Sequence, residues 1–137
     1  MKRYILLFIT LLTLSLAVQA QSLLPGEGER VRYGMQIDFK KAYVSGVCVM
    51  LGDEGAVKAS LVNEFGVSAI DFIYYPQRNK VKIVSVISQL NKWYIRMMLR
   101  RDLRALMHEM EKGNLSYANE KYHITYNLQP STQDLQP

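Results

Sequence analysis

A regular series of basic side chains in residues 92–112 is the pattern in this sequence best suited to bind a charged ligand. Five of these residues are our candidate basic surface: Lys92, Arg96, Arg100, Arg101 and Arg104. Most members of the series recur every four residues, and it continues to His108 and Lys112. On an α-helix each such step turns by about 40°, which predicts a slowly spiralling basic ribbon. Such a ribbon can attract anionic headgroups or an acidic partner, or it can be a solvated outer face.

The other face of the same segment is apolar and rich in methionine. Six of its residues are our candidates for lining a ligand site: Met97, Met98, Leu103, Leu106, Met107 and Met110. Unbranched, polarizable methionine side chains can re-pack around acyl chains, although they also fill ordinary gaps against a sheet. Trp93 and Tyr94 enter the segment together, and we expect burial of both rings to anchor it to the sheet.

Few residues could support catalysis or bind a metal. The candidates are Glu64, Asp71, His108 and His123. Neither histidine has an i,i+4 partner arranged as a metal ligand, and the chain has no glycine-rich phosphate loop or nucleophile elbow. Asp71 interrupts an apolar strand, so it should face water or pair with Arg100 or Arg101. We predict no catalytic residues, no metal site and no cofactor, with a small hydrolase as a minor alternative.

Residues 1–20 predict a secretory signal peptide. Lys2 and Arg3 precede a 14-residue run without charge, and Val18-Gln19-Ala20 supplies the small residues that signal peptidase requires. Fourteen helical residues span about 21 Å, less than the roughly 30 Å hydrocarbon core of a bilayer. We therefore expect a periplasmic or secreted protein that is soluble after cleavage. Because exported proteins rarely meet nucleic acid, we do not expect nucleic acid as a partner.

The remaining chain carries a mild positive charge and one cysteine. The full sequence has a net charge of +5, of which residues 1–20 contribute +2. That balance alone does not indicate nucleic-acid binding. Cys48 lies in an apolar run, which favours a small buried side chain over a reactive thiol or an intermolecular disulfide.

Periodicity divides residues 21–137 into a leader, one domain and a tail. Residues 21–30, with Pro25 and two glycines, predict a flexible leader. Apolar residues alternate from Val31 to Phe39, and further strand patterns separated by short polar turns follow as far as about residue 87. A helix is predicted over about residues 89–112, ending at Gly113-Asn114. A last strand ends near Leu128, and residues 129–137 should form a disordered tail.

These elements predict an α+β fold for residues 31–128. The close spacing of the strands favours an antiparallel meander of about six strands, because no crossover helix fits between them. The long helix should cover the concave face of a half-barrel-like sheet. Whether it covers a cavity or a filled core is open at this level.

The stretch from Val62 to Leu106 resembles small uncharacterised exported proteins of Gram-negative bacteria. Together with the signal and the meander-plus-helix arrangement, it resembles at the level of pattern the lipoprotein-carrier (LolA/LolB-like) superfamily. That resemblance implies a periplasmic half-barrel that binds acyl chains without a cofactor. Our first hypothesis is therefore a non-enzymatic periplasmic binding protein for a lipid, lipoprotein or other amphipathic ligand. The alternative is a cell-envelope protein-interaction module that uses the sheet edge or the basic ribbon, with peripheral contact to an anionic membrane also possible.

Overall fold

A computed structural model describes residues 21–131, which form a curled antiparallel sheet with one long helix packed against it. This confirms the predicted α+β fold, with seven strands instead of about six. The elements in chain order are β1 (Arg30–Asp38), β2 (Tyr43–Asp53), β3 (Ala56–Val62), β4 (Ser68–Tyr75), β5 (Lys80–Val86), a short 3-10 helix (Ser88–Leu90), α1 (Trp93–Glu111), β6 (Ser116–Asn119) and β7 (Ile124–Pro130).

The sheet has the strand order β5-β4-β3-β2-β1-β7-β6, and every neighbouring pair is antiparallel. The first five strands form the predicted meander because short turns join them. Between β2 and β3 the turn residues Glu54 and Gly55 both have positive φ angles, the backbone of the two-residue turn that matches strand twist. After α1 crosses the sheet, the β6–β7 hairpin adds to the free side of β1.

Helix α1 ends as the sequence predicts but begins later. The amide of Gly113, at φ 94°, donates to Met110 O, and the amide of Asn114 donates to Glu109 O. Both bonds belong to a Schellman C-cap, which requires a left-handed residue at the position of Gly113. The predicted start near residue 89 was wrong, because Lys92 is extended at φ −123° and ψ 142° and separates the 3-10 helix from α1.

The core lies between α1 and the concave face of the sheet. Five apolar side chains of the helix are fully buried there: Leu99, Leu103, Leu106, Met107 and Met110. They face the large buried residues of the strands, among them Phe72, Tyr74 and Tyr126. Cys48 is completely buried in the same cluster, in agreement with its apolar sequence context. Among the described residues, no helix combines the length and apolar character needed to span a bilayer.

The segment predicted as a flexible leader contacts the domain at several points. The amide of Leu23 donates to Met110 O at 2.9 Å, and Pro25 is buried. The Glu27 carboxylate accepts hydrogen bonds from the backbone amides of Glu54 and Gly55 at 2.9 and 3.2 Å. These contacts close one end of the β2–β3 hairpin and connect residues 21–29 to the sheet.

The predicted tail begins too early, because Gln129 and Pro130 belong to β7. They pair with Gly34 and Tyr33 of β1, so the strand extends two residues past the predicted boundary at Leu128. Residues 132–137 of the predicted tail and the predicted signal peptide, residues 1–20, lie outside the described residues.

Candidate ligand-binding surface

The N-terminal half of α1 presents large apolar side chains to solvent. The exposed fraction is 75% for Trp93, 50% for Tyr94 and 46% for Met97. The two aromatic rings touch edge to face, with their centroids 5.8 Å apart. The prediction that both rings anchor the helix by burial was therefore wrong. Full burial of the helix begins at Leu99, and in the first turn Ile95 packs partly against the core while Trp93 and Tyr94 are exposed.

Helix geometry aligns this apolar group with part of the basic ribbon. At 100° per residue, Trp93, Met97, Arg100 and Arg104 lie within about 60° of arc on one side of α1. Arg101 lies beside them, and all three arginines are exposed. The strip therefore places a tryptophan and a methionine at its N-terminal end and cationic side chains in the next two turns. A surface tangent to the strip would meet both.

A groove separates this strip from the edge strand β5 and the β4–β5 turn. It comprises two adjoining depressions of about 570 and 220 Å³ that share Lys80, Val81 and Arg100. The basic residues that line one or both depressions are Arg78, Lys80, Lys82, Arg100, Arg101 and Arg104, and no Asp or Glu of residues 21–131 lines either. The guanidinium of Arg78 lies 5.5 Å from the centre of the Tyr75 ring, which also lines the groove.

These six cations have no carboxylate within ion-pair distance in the part of the chain that the structure describes. The ion pairs there join Lys58 to Asp53, His108 to Glu111 and Lys112 to Glu109. The C-terminal end of the predicted ribbon is thus internally compensated, whereas its middle is not. Of the remaining members, Lys92 is exposed, and half-buried Arg96 donates from Nη1 to Asn91 Oδ1 at 3.1 Å.

The candidate ligand-lining residues fall into two groups. Leu103, Leu106, Met107 and Met110 are fully buried in the core. Met98 is half-buried, and Met97 lines the basic groove. An apolar ligand can thus reach Met97 directly, but it would reach the buried four only if helix and sheet separated.

The structure does not bring the catalytic candidates together. In the described chain, no hydrogen bond or ion pair connects any two of Glu64, Asp71, His108 and His123. His108 pairs with Glu111 at 3.6 Å, Glu64 lies in the exposed β3–β4 turn, and His123 lies in the β6–β7 turn. Within residues 21–131, no three Asp, Glu, His or Cys residues are grouped as metal ligands.

Asp71 does not pair with Arg100 or Arg101, and its half-buried side chain lies on the outer face of the sheet, where serine side chains bind it. Ser68 and Ser85 donate hydrogen bonds to its two oxygens at 2.6 and 2.7 Å. Partial burial opposes ionisation, but hydrogen bonds from these serines and Ser60 outweigh it and hold the pKa of Asp71 below its usual value. The cluster lies on the sheet face opposite the helix, where it connects β3, β4 and β5.

The sequence pattern missed two parts of the arrangement around α1. Lys80 and Lys82 alternate with apolar residues in β5, which marks them as outward-facing, but only the folded chain places them beside α1. Asp102 is 1% exposed and accepts hydrogen bonds from the Tyr126 hydroxyl at 2.7 Å and from Asn119 Nδ2 at 2.9 Å. This buried carboxylate connects α1 to the β6–β7 hairpin.

Comparisons with protein-family models, curated proteins and solved structures gave no significant match. The resemblance to lipoprotein carriers therefore stays a prediction, and the surface chemistry of α1 is the basis for a functional proposal.

Proposed function

We propose that the protein is a non-enzymatic binding protein for an anionic amphipathic ligand, namely a membrane surface that contains anionic lipid. The observation that carries this proposal is the strip on α1 that joins exposed Trp93 and Met97 to the arginines of the next two turns, with exposed Tyr94 next to Trp93. The predicted signal peptide supports an action outside the cytoplasm. The proposal keeps the lipid class of our first hypothesis and puts the contact on the surface of the helix.

Each part of the strip matches one layer of a bilayer surface. Tryptophan and tyrosine favour the level of the headgroups, where an apolar ring and a polar atom are both accommodated. Each basic residue close to an anionic leaflet contributes about 1 kcal/mol of attraction. Exposed apolar side chains lower the solubility of a protein, and neighbouring arginines without carboxylate partners repel one another. Binding to an anionic membrane surface relieves both effects.

Trp93 provides a direct assay because it is the chain's single tryptophan. Protein comprising residues 21–137 is titrated with vesicles of phosphatidylcholine alone and with vesicles that contain phosphatidylglycerol. We expect a blue shift of Trp93 emission and co-sedimentation with the anionic vesicles only, both reduced by added salt. Emission that stays unchanged with anionic vesicles would refute the proposal.

Charge reversal tests the role of the helix. Arg100→Glu with Arg101→Glu removes two attractive charges, so at about 1 kcal/mol each the affinity should fall by at least roughly 30-fold. The matched control is Lys40→Glu with Lys41→Glu, which makes the same charge change at two exposed positions of the β1–β2 turn. Equal losses in both variants would indicate net charge alone and contradict the assignment to α1.

The envelope-interaction alternative makes a different prediction in the same assay. A module that captures an acidic protein depends on the arginines but not on insertion of the aromatic rings. Trp93→Ser should therefore weaken vesicle binding strongly under our proposal. Vesicle binding that survives this change, or that occurs without any emission shift, would favour a protein partner.

A further inference from the structure

The basic groove between α1, β5 and the β4–β5 turn concentrates charge more than an ordinary solvated face requires. Six Lys or Arg residues line two connected depressions, and among the described residues no Asp or Glu lines either of them. The cations come from separate parts of the chain, with Arg78 in the turn, Lys80 and Lys82 on β5, and three arginines on α1. Folding therefore brings together positively charged residues that are distant from one another in the sequence.

Gathering these charges has an electrostatic cost that nothing in the described chain offsets. Like charges that share one groove repel each other, and this repulsion grows as their separation and the local dielectric constant fall. The ion pairs in the described residues involve other cations, so repulsion within the groove is relieved only by solvent and counterions. A bound anion would relieve it directly.

The types of side chain indicate which anion fits. Arginine presents a planar fork that matches phosphate oxygens bidentately, and lysine adds a compact point charge. A terminal phosphate, with about −1.5 to −2 charges and three free oxygens, uses several such donors at once. A phosphodiester offers one charge and fewer free oxygens. The convergence of six cations therefore favours a phosphomonoester or pyrophosphate group.

The groove also adjoins the proposed membrane contact. Arg100 and Arg104 follow Trp93 by seven and eleven residues, or about 10 and 16 Å along the helix. Met97 lines the groove and is itself part of the exposed apolar group. A lipid headgroup that contacts Trp93 and Met97 therefore lies next to the groove cations.

We propose that this groove is a phosphate-binding site that takes the terminal phosphate of a lipid headgroup. This assignment rests on the proposed membrane contact, but the two are separable because a soluble phosphate compound can occupy the groove without a membrane. The shared chemistry is a phosphate group with at least two negative charges.

The test combines a soluble probe with vesicles. Inorganic pyrophosphate is titrated into protein comprising residues 21–137 by calorimetry, with sulfate at equal ionic strength as the comparison anion. Vesicle binding is then compared for phosphatidic acid and phosphatidylglycerol at matched surface charge. We expect pyrophosphate to bind at least tenfold more tightly than sulfate, to displace the protein from phosphatidic acid vesicles, and to have little effect with phosphatidylglycerol.

Lys80→Gln with Lys82→Gln removes two groove charges and leaves the aromatic strip on α1 intact. We expect this variant to lose at least tenfold in pyrophosphate affinity and its preference for phosphatidic acid, but to keep basal binding to phosphatidylglycerol. Lys40→Gln with Lys41→Gln is the matched control and should behave like the unchanged protein. Circular dichroism checks that each variant is folded.

The outcomes separate the two proposals. Vesicle binding without pyrophosphate binding or phosphatidic acid preference would overturn the phosphate site and leave the membrane contact standing. Pyrophosphate binding without vesicle binding would overturn the membrane contact and the lipid source, and would assign the groove to a soluble phosphate compound. Equal loss in the groove variant and the control would overturn the location of the site.

Discussion

Removal of the Asp102 carboxylate should destabilise the protein more than removal of any exposed carboxylate. Asp102 is almost completely buried, and its oxygens accept hydrogen bonds from Tyr126 and Asn119. Asp102→Ala leaves the buried Tyr126 hydroxyl without an acceptor, whereas half-buried Asn119 can regain water. An unsatisfied buried group costs about 1–3 kcal/mol, and each hydrogen bond to a charged acceptor contributes about 1.5–3 kcal/mol. We expect the free energy of unfolding to fall by about 2–4 kcal/mol.

Urea unfolding followed by far-ultraviolet circular dichroism measures this loss. With an m-value of about 2 kcal/mol/M, the midpoint should fall by roughly 1–2 M. Asp102→Asn keeps one oxygen acceptor and should lose about half as much. The control Asp53→Ala removes an exposed carboxylate that pairs only with Lys58, so it should change the free energy of unfolding by less than about 1 kcal/mol.

A double-mutant cycle with Tyr126→Phe separates the hydrogen bond from the cost of burying a charge. Asp102 has no cation within ion-pair distance in the described chain, so its removal also relieves a desolvation penalty. If the bond to Tyr126 dominates, Asp102→Ala and Tyr126→Phe should couple by about 1–3 kcal/mol. A stability for Asp102→Ala within 0.5 kcal/mol of the unchanged protein, together with zero coupling, would refute this account.

Three further predictions concern the core and the C-terminal cap of α1. Burial raises the pKa of the Cys48 thiol to about 12, so iodoacetamide at pH 8.5 should modify it only in denaturant, and rapid modification of native protein would contradict its burial. Burial and hydrogen bonds to carboxylates raise the pKa values of Tyr74 and Tyr126 above 10. The free energy of unfolding should therefore be constant below about pH 10 and fall above it, because the unfolded state releases these protons at lower pH than the folded state. Phenolate absorbance in which every tyrosine of the folded protein titrates near pH 10 would be the contrary result. Gly113→Ala strains the left-handed C-cap at φ 94° and should lower the free energy of unfolding in urea by about 1 kcal/mol. The control is Gly28→Ala, which changes a glycine at φ 77° in the leader, outside the helix.

The strands and the end of the helix were predictable because local rules determine them. Alternation from Val31 follows from a strand with one face on the core, and β1 begins one residue earlier. Gly113-Asn114 forms the helix cap because of local residue type alone, since glycine adopts positive φ without a steric penalty. Such features need no knowledge of distant residues.

The burial of Trp93 and Tyr94 was predicted wrongly because residue type was given more weight than position. On a helical wheel the buried residues Leu99, Leu103 and Leu106 define one side of α1, and both aromatic residues lie about 100° or more from its centre. In the same turn Ile95, on the buried side of the wheel, packs partly against the core. Angular position therefore contained a signal that the general preference of aromatic residues for the core concealed.

The groove and the buried carboxylate could not be predicted because both depend on tertiary contacts. Asp102 accepts a hydrogen bond from Tyr126, which lies 24 residues later in the chain, after β6 and the turn that follows it. Lys80 and Arg100 are 20 residues apart and line one depression only because α1 packs back beside the edge strand β5. Neither spacing matches a helix or strand period, so no local pattern marks the pairs.

The packing of α1 also bears on how an amphipathic ligand would bind. A cavity lined by Leu103, Leu106, Met107 and Met110 requires that the helix separate from the sheet, because all four are fully buried. Exposing four such side chains costs about 6–12 kcal/mol, which is comparable to the whole stability of a small domain. At about 0.8 kcal/mol per buried methylene, an acyl chain of at least roughly 8–15 carbons is needed merely to offset that cost. Contact through Trp93 and Met97 needs no such opening, since both are already exposed, and this difference in free energy favours binding at the surface.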